Sequence, residues 1–349
     1  PPVAGERLGV SLGNPTYIGA YVVINIFLAL GFLTDSFDRF QSKKPLTEAT
    51  ENLRKKRRRG RVRQQTPKWE GRMLIWRGFW LLTLVLNFWV LLLSGTRGAL
   101  FGVIAGLAMV AILYVSLGTQ RRLRLLAAIG LICLVVLGGL WLGLKDTRIG
   151  EKLAQSNIMF SRFQNISTTS GTLAIRLTTV DAGIRAFREK PLLGWGPENF
   201  AVGFEKHAAN NYFSLDKAFA DNAHNKLVEE LTTKGILGFV TYITIWALLL
   251  GILVLKTKTP ASEEESKNKP TVIQGKEGWF YICVIAALVA YFVQNLLLFD
   301  TPAPILQFNL LLGFVVAIEV YMLPKESRLG WPQSWGILGR VIAYPRAGL

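Results

Sequence analysis

Seven apolar blocks, each close to the length that crosses a lipid bilayer, constrain this 349-residue chain more than any other feature. They run over about Pro15–Leu33, Leu74–Leu93, Ala99–Leu117, Leu125–Leu144, Gly235–Leu255, Gly278–Leu298 and Ile305–Leu323. A hydrocarbon core takes roughly 20 apolar residues of helix to span. A soluble helical protein buries one or two such runs, not seven. The expected fold is therefore all-α: a polytopic membrane helical bundle of about seven transmembrane helices, with one long outer segment that carries amphipathic helices.

Charge sets the orientation. The chain carries +17 at pH 7. With the segment 35–73 placed in the cytoplasm, inside loops hold 25 of the 40 Lys and Arg residues and outer segments 14. Short basic loops stay cytoplasmic, so this orientation is favoured. The run Arg54–Arg59 then lies beside anionic headgroups, where each charge contributes on the order of 1 kcal/mol. No aromatic residues are interleaved with it, which argues for a membrane surface and against nucleic acid. Cys133 and Cys283 both fall inside spans, so no disulfide framework is implied.

The organisation that follows has six parts: an outer lead and first span over 1–34, the basic loop 35–73, three spans over 74–144, an outer segment 145–234, three more spans over 235–323 and a cytoplasmic tail 324–349. The chain opens Pro1-Pro2 without Met, and we expect it to be a piece of a longer membrane protein with spans before the first. Gly98, Gly102 and Gly106 stand four apart and predict close approach of a neighbouring helix.

The outer segment holds 12 basic and 10 acidic residues and is where a site would be built. Leu177, Val180, Ile184 and Phe187 recur at helical spacing until Lys190-Pro191 ends the pattern. The spacing predicts an amphipathic helix on the membrane interface or on the bundle top. Pro191–Pro197, with Gly194 and Gly196, reads as a turn rather than a nucleotide loop, because no strand precedes it and no helix follows it as a dinucleotide fingerprint requires. Asn165-Ile166-Ser167 matches a glycosylation sequon, which is a weak signal.

Four groups carry candidate chemistry. Of the two histidines, His207 reads as structural or solvated. His224 sits among Asp221, Asn222 and Asn225 at the mouth of the fifth span, where an imidazole can take a proton from a hydroxyl at neutral pH. Arg97 lies between Gly95 and Gly98 in the hairpin between two spans, either as an interface anchor or as a phosphate ligand that grips with paired donors. Arg176 stands at the start of the amphipathic helix, near an N-terminus that favours anions. Arg185 follows Asp181 by four residues and fits a surface ion pair, while Arg188 fits dipole complementation at a helix end. Two histidines seventeen residues apart, with no acidic cluster of ligand spacing, make a metal site improbable, and no cofactor is expected.

The motifs then combine. Gly13-Asn14-Pro15, Ser94-Gly-Thr-Arg97-Gly98, Arg176-Leu177, Pro191-Leu-Leu-Gly-Trp-Gly-Pro-Glu-Asn-Phe200, Ala223-His224-Asn225, Gln294-Asn295 and Phe299-Asp300-Thr301 follow one another along the chain. His224, Asn225, nine residues and Gly235-Ile-Leu-Gly238 fit a ligase signature without a gap. In this the chain resembles the O-antigen ligase and polymerase superfamily of bacterial inner-membrane glycosyltransferases. The resemblance implies a glycan donor on undecaprenyl diphosphate, held by Arg97 and Arg176 at the periplasmic face. It implies His224 as base on an acceptor hydroxyl of lipid A core, another glycan or a protein, with inversion and without metal. Arg185, Asp221, Asn225, Gly194 and Gly196 are expected to bind substrate. Family members carry further spans before the Gly-Asn-Pro helix, and some relatives continue into helical repeats. A polymerase or protein oligosaccharyltransferase on the same donor remains an alternative. So does a small-anion transporter, although the spans are nearly free of charge, with Glu319 near a helix end. The ligase reading requires Arg97, Arg176 and His224 to gather at one membrane face.

Overall fold

The computed structural model describes residues 14–42, 68–118, 120–156, 171–208, 220–258 and 277–322. Among these, no strand is present and ten helices follow in order: α1 (Pro15–Ser42), α2 (Lys68–Ser94), α3 (Arg97–Leu117), α4 (Arg121–Leu144), α5 (Arg148–Ser156), α6 (Gly171–Glu189), α7 (Phe200–His207), α8 (Lys226–Lys258), α9 (Glu277–Asn295) and α10 (Pro302–Met322). The all-α membrane bundle is as expected. Six helices are long and apolar enough to cross a membrane: α1, α2, α3, α4, α8 and α9. The seventh expected span is the helix α10, whose apolar part, Pro302–Ala317, is shorter. The basic run Arg54–Arg59, the sequon at Asn165 and the tail 324–349 lie outside the described residues. By its contacts the chain divides after Ile305, and the remainder of α10 is a unit of its own.

Within the first unit, α9 is the central post. It packs against α1, α3 and α8, and residues from Tyr281 to Leu288 are all buried. The glycines of α3 make its approach possible. A Cβ on Gly102 would stand 2.5 Å from the Ala290 carbonyl oxygen, and one on Gly106 2.3 Å from the Phe27 ring. The four-residue spacing thus does what it predicted. The outer helices differ: α2 lies along α1, with Phe32 stacked on Trp80 at 4.5 Å between ring centroids, and α4 has no buried residue at all. Their exposed apolar faces are the surface that lipid covers.

The extramembrane part is built on α6. Its helix ends at Glu189, before Lys190-Pro191 as expected, yet the buried face is not the predicted stripe. Ala174, Thr179, Ala182 and Ala186 are buried, whereas Leu177 and Ile184 are exposed. Small side chains win the packed face because they let α7 and α8 come close: Thr232 Oγ1 donates to the Gly183 carbonyl at 3.0 Å. Phe200, Phe204, Ala220, Ala223 and Val228 complete this small core with Ala182.

Helix α8 is broken at Gly235 (φ 66°, ψ −169°), where the extramembrane turn meets the span. The 191–197 turn clasps this break. Trp195 and Gly196 donate backbone N–H to Thr232 and Thr233, and Ile236 donates to Pro191. A Cβ at Gly235 would lie 2.3 Å from the Leu192 carbonyl oxygen. Glycine is needed there for both its conformation and its size.

Candidate active site

The site is assembled around the turn that joins α9 to α10. Asp300 accepts hydrogen bonds from the Tyr291 hydroxyl and, at 2.7 Å, from Asn295 Nδ2, and it pairs with Lys226 Nζ at 2.6 Å. Lys226 also meets Glu230 at 2.8 Å, and Glu230 meets Lys234 at 2.8 Å. The side chains of Lys226 and Asp300 are only 13% and 16% exposed, so the pair is largely removed from water. Its charges are matched by several partners, the condition for a buried ion pair to be tolerated.

This network fixes the start of α8, and with it His224. Asn225 Oδ1 accepts from the backbone N–H groups of Leu227 and Val228 at 3.0 and 3.2 Å, the geometry of a helix N-cap. Its Nδ2 donates to the Leu296 carbonyl at 3.1 Å. On the other side of His224, the Ala223 N–H donates to Glu229 Oε2 at 2.7 Å. Held from both sides, His224 adopts φ 52°, a left-handed conformation rarely taken by a residue with a Cβ. Its ring lies 5.3 Å from that of Phe299, which in turn meets Tyr17 edge-on at 6.1 Å.

Arg97 enters from the α2–α3 turn. Thr96 Oγ1 donates to the Pro15 carbonyl at 3.1 Å, and a Cβ on Gly98 would be 3.5 Å from Leu297. The turn therefore packs on the same α1 and α9 ends that carry Tyr17 and Leu296. Arg176 approaches from α6. Burial, and then the charge of Arg97, push its pKa below the usual arginine value, so the two guanidinium groups are near enough to repel. Arg176 Nε is buried and has no hydrogen-bond partner among the described residues. Arg176 stands five residues into α6 rather than at its first turn, so the helix N-terminus adds little to an anion bound there.

Arg97, Arg176, His224 and Asn225 thus come to one end of the bundle, although Asn225 spends its polar atoms as a cap and tether. The other candidates have their own contacts and exposure. Arg185 pairs with Asp181 at 2.6 Å, each side chain 53% exposed, the surface ion pair its spacing suggested. Asp221 is exposed. Gly194 and Gly196 (φ 69° and 102°) shape the clasp on α8. His207 meets Glu189 at 3.1 Å, a structural contact. Sequence reasoning gave no role to Lys226, Glu229, Glu230 or Tyr291, and quoted Asp300 only as part of a motif. The available signal was their charge at the ends of apolar spans, where an ionisable residue is costly without a partner.

The sequence pattern of the O-antigen ligase family matches residues 82–243, a stretch that contains Arg97, Arg176, the clasp turn and His224 and ends inside α8. No match is found among curated proteins. Over that stretch, a little under half of its length, the chain is similar to the O-antigen ligase family, and this supports a membrane glycosyltransferase of the ligase and polymerase type.

Proposed function

We propose that this protein transfers a glycan from undecaprenyl diphosphate to a hydroxyl of an acceptor, lipid A core or a related glycan or protein, at the periplasmic face of the bacterial inner membrane. The observation that carries this reading is the pairing of Arg97 with Arg176. Two cations 79 residues apart are held together, one of them partly buried and lacking a carboxylate partner among the described residues. Such an arrangement is unfavourable until an anion joins it. A diphosphate supplies two or more negative charges, and one pair at ~4 Å with an effective dielectric near 20 contributes about 4 kcal/mol before desolvation.

In the reaction, His224 takes the proton of the acceptor hydroxyl as its oxygen bonds to the anomeric carbon. The bond from that carbon to the diphosphate breaks, its electron pair leaves with the diphosphate, and the configuration inverts. The arginines stabilise the charge that grows on the leaving group. The ordered surroundings of His224, next to the cap and tether of Asn225 and against the tilted ring of Phe299, suit a base that must hold one orientation.

The test is transfer by the purified protein in lipid nanodiscs from an undecaprenyl-diphosphate glycan. His224→Ala is expected to lower kcat by roughly 10²–10⁴-fold, the usual contribution of a general base, and Arg97→Ala to abolish transfer, with insertion intact in both. Wild-type turnover in His224→Ala would remove the histidine from the reaction.

A further inference from the structure

Gln294, the penultimate residue of α9, is 0% exposed, and neither its Nε2 nor its Oε1 has a hydrogen-bond partner among the described residues. Tyr291 and Asn295, its neighbours on the same helix, both donate to Asp300. A buried carboxamide with both ends unmet is costly in apolar surroundings, and in a membrane-spanning helix such a cost usually marks function. Its place in the fold says which. A Cβ on Gly98 would lie 3.8 Å from the Gln294 carbonyl oxygen and 3.9 Å from its Cγ, and one on Gly102 3.3 Å from its Cβ. Gln294 therefore lies against the first turn of α3, beside the residue that follows Arg97.

A carboxamide is a donor at one end and an acceptor at the other. A simple anion satisfies only the NH₂ group. A sugar linked to a phosphate satisfies both, because phosphoryl oxygens accept and the sugar's hydroxyls donate within the span of one residue. We propose that Gln294 contacts the donor at the junction between its diphosphate and its first sugar, with Nε2 on a phosphoryl oxygen and Oε1 on a sugar hydroxyl. This rests on the transferase reading above. The residue lies beyond the stretch 82–243 that matches the family.

The experiment compares the full chain with Gln294→Met, which keeps the volume and removes both hydrogen-bonding ends, in nanodiscs. Thermal unfolding is measured alone, and binding is measured to undecaprenyl diphosphate and to the same lipid bearing a glycan. Gln294→Met is expected to unfold no earlier than wild type, since it removes an unmet buried amide. It is expected to lose about ten- to a hundredfold in affinity for the glycan-bearing lipid, less for the bare diphosphate, and in transfer to raise KM for the donor more than it lowers kcat. Wild-type affinity for the glycan-bearing lipid overturns the proposal, whatever the unfolding temperature. Equal losses for the two lipids overturn the assignment to the sugar junction. Should Gln294→Met fail to fold, Gln294→Asn, which withdraws the amide by one methylene, is expected to fold and to weaken glycan-lipid binding, and wild-type binding by it counts against the proposal. A protein that binds the glycan lipid through Gln294 yet transfers nothing would defeat the transferase reading alone. One that transfers with a donor KM indifferent to Gln294→Met would defeat this inference alone.

Discussion

Left-handed backbone occurs in two settings in the described residues, and they differ in who bears it. In the clasp over α8 and the hairpin before α3 it falls on glycine, at Gly95, Gly194, Gly196 and Gly235. It also falls on two residues with side chains, Glu198 at the end of the clasp turn and His224 at the site (φ 64° and 52°). A Cβ in this region costs roughly 1–2 kcal/mol. Where the chain needs only the shape, it uses glycine. At His224 it keeps a strained side chain, and that side chain is the proposed base.

The comparison breaks most severely at the clasp. Gly235→Ala adds an unfavourable conformation to a 2.3 Å approach on the Leu192 carbonyl oxygen, and the obstructing atoms are backbone that cannot swing aside. We expect a loss on the order of 5 kcal/mol or failure to fold. Thermal unfolding of the purified variant checks this. A near-native unfolding temperature would mean that the clasp is not rigid.

The strained histidine is held by charge rather than by sterics. Lys226→Met leaves the Asp300 carboxylate without its cation in a largely buried place. Removing one partner of such a pair is expected to destabilise by about 3–4 kcal/mol. Because the pair ties α8 to the turn bearing Phe299, transfer activity should fall further than the folded fraction does. Equal falls would show that Lys226 serves the fold alone.

The two settings also differ in how much of each the sequence disclosed. The spans were legible because a bilayer imposes length and apolarity on every helix that crosses it, and the α3 glycines because their spacing fixes one face. The end of α6 was legible from Pro191, since the residue before a proline avoids helical backbone. The packed face of α6 was not: Leu177 and Ile184 outrank Ala182 and Ala186 in hydrophobicity, yet close helix packing selects small residues. At the site, His224, Arg97 and Arg176 stood out by type and motif. Their connection through Asp300, Phe299 and Leu296 depends on contacts across 70 or more residues, which no local pattern encodes. Asn225 looked like a ligand because the sequence shows an amide but not the two backbone N–H groups that occupy it.

Glu198 tests the non-glycine setting from the stability side. Glu198→Gly relieves the left-handed strain and is expected to gain about 1 kcal/mol, read as a later thermal unfolding. A loss of stability would mean that the glutamate side chain, exposed though it is, holds the turn.

The smallest effect belongs to the charges at the outer edge of the clasp. Lys190 Nζ lies 4.0 Å above the Trp195 ring, and Lys206, further from that ring, pairs with Glu189 at 2.7 Å. The hydrogen bond from Lys206 is the largest cause, burial opposes it, and the charges of Lys206 and His207 with a hydrogen bond from His207 add to it, so that the Glu189 carboxyl is held below its ordinary range. A carboxylate whose pKa falls on folding adds stability that is complete above its unfolded value, about 4.3, and is lost as the pH drops through the lower folded value. Glu189→Gln should therefore unfold slightly earlier than wild type at pH 7, with the gap closing as the pH falls below 4.3. The group is solvent-exposed and screened, so the gap should also shrink in high salt. A gap that persisted at pH 3 would assign the role of Glu189 to packing, and the clasp would then depend on shape at its edge as it does at Gly235.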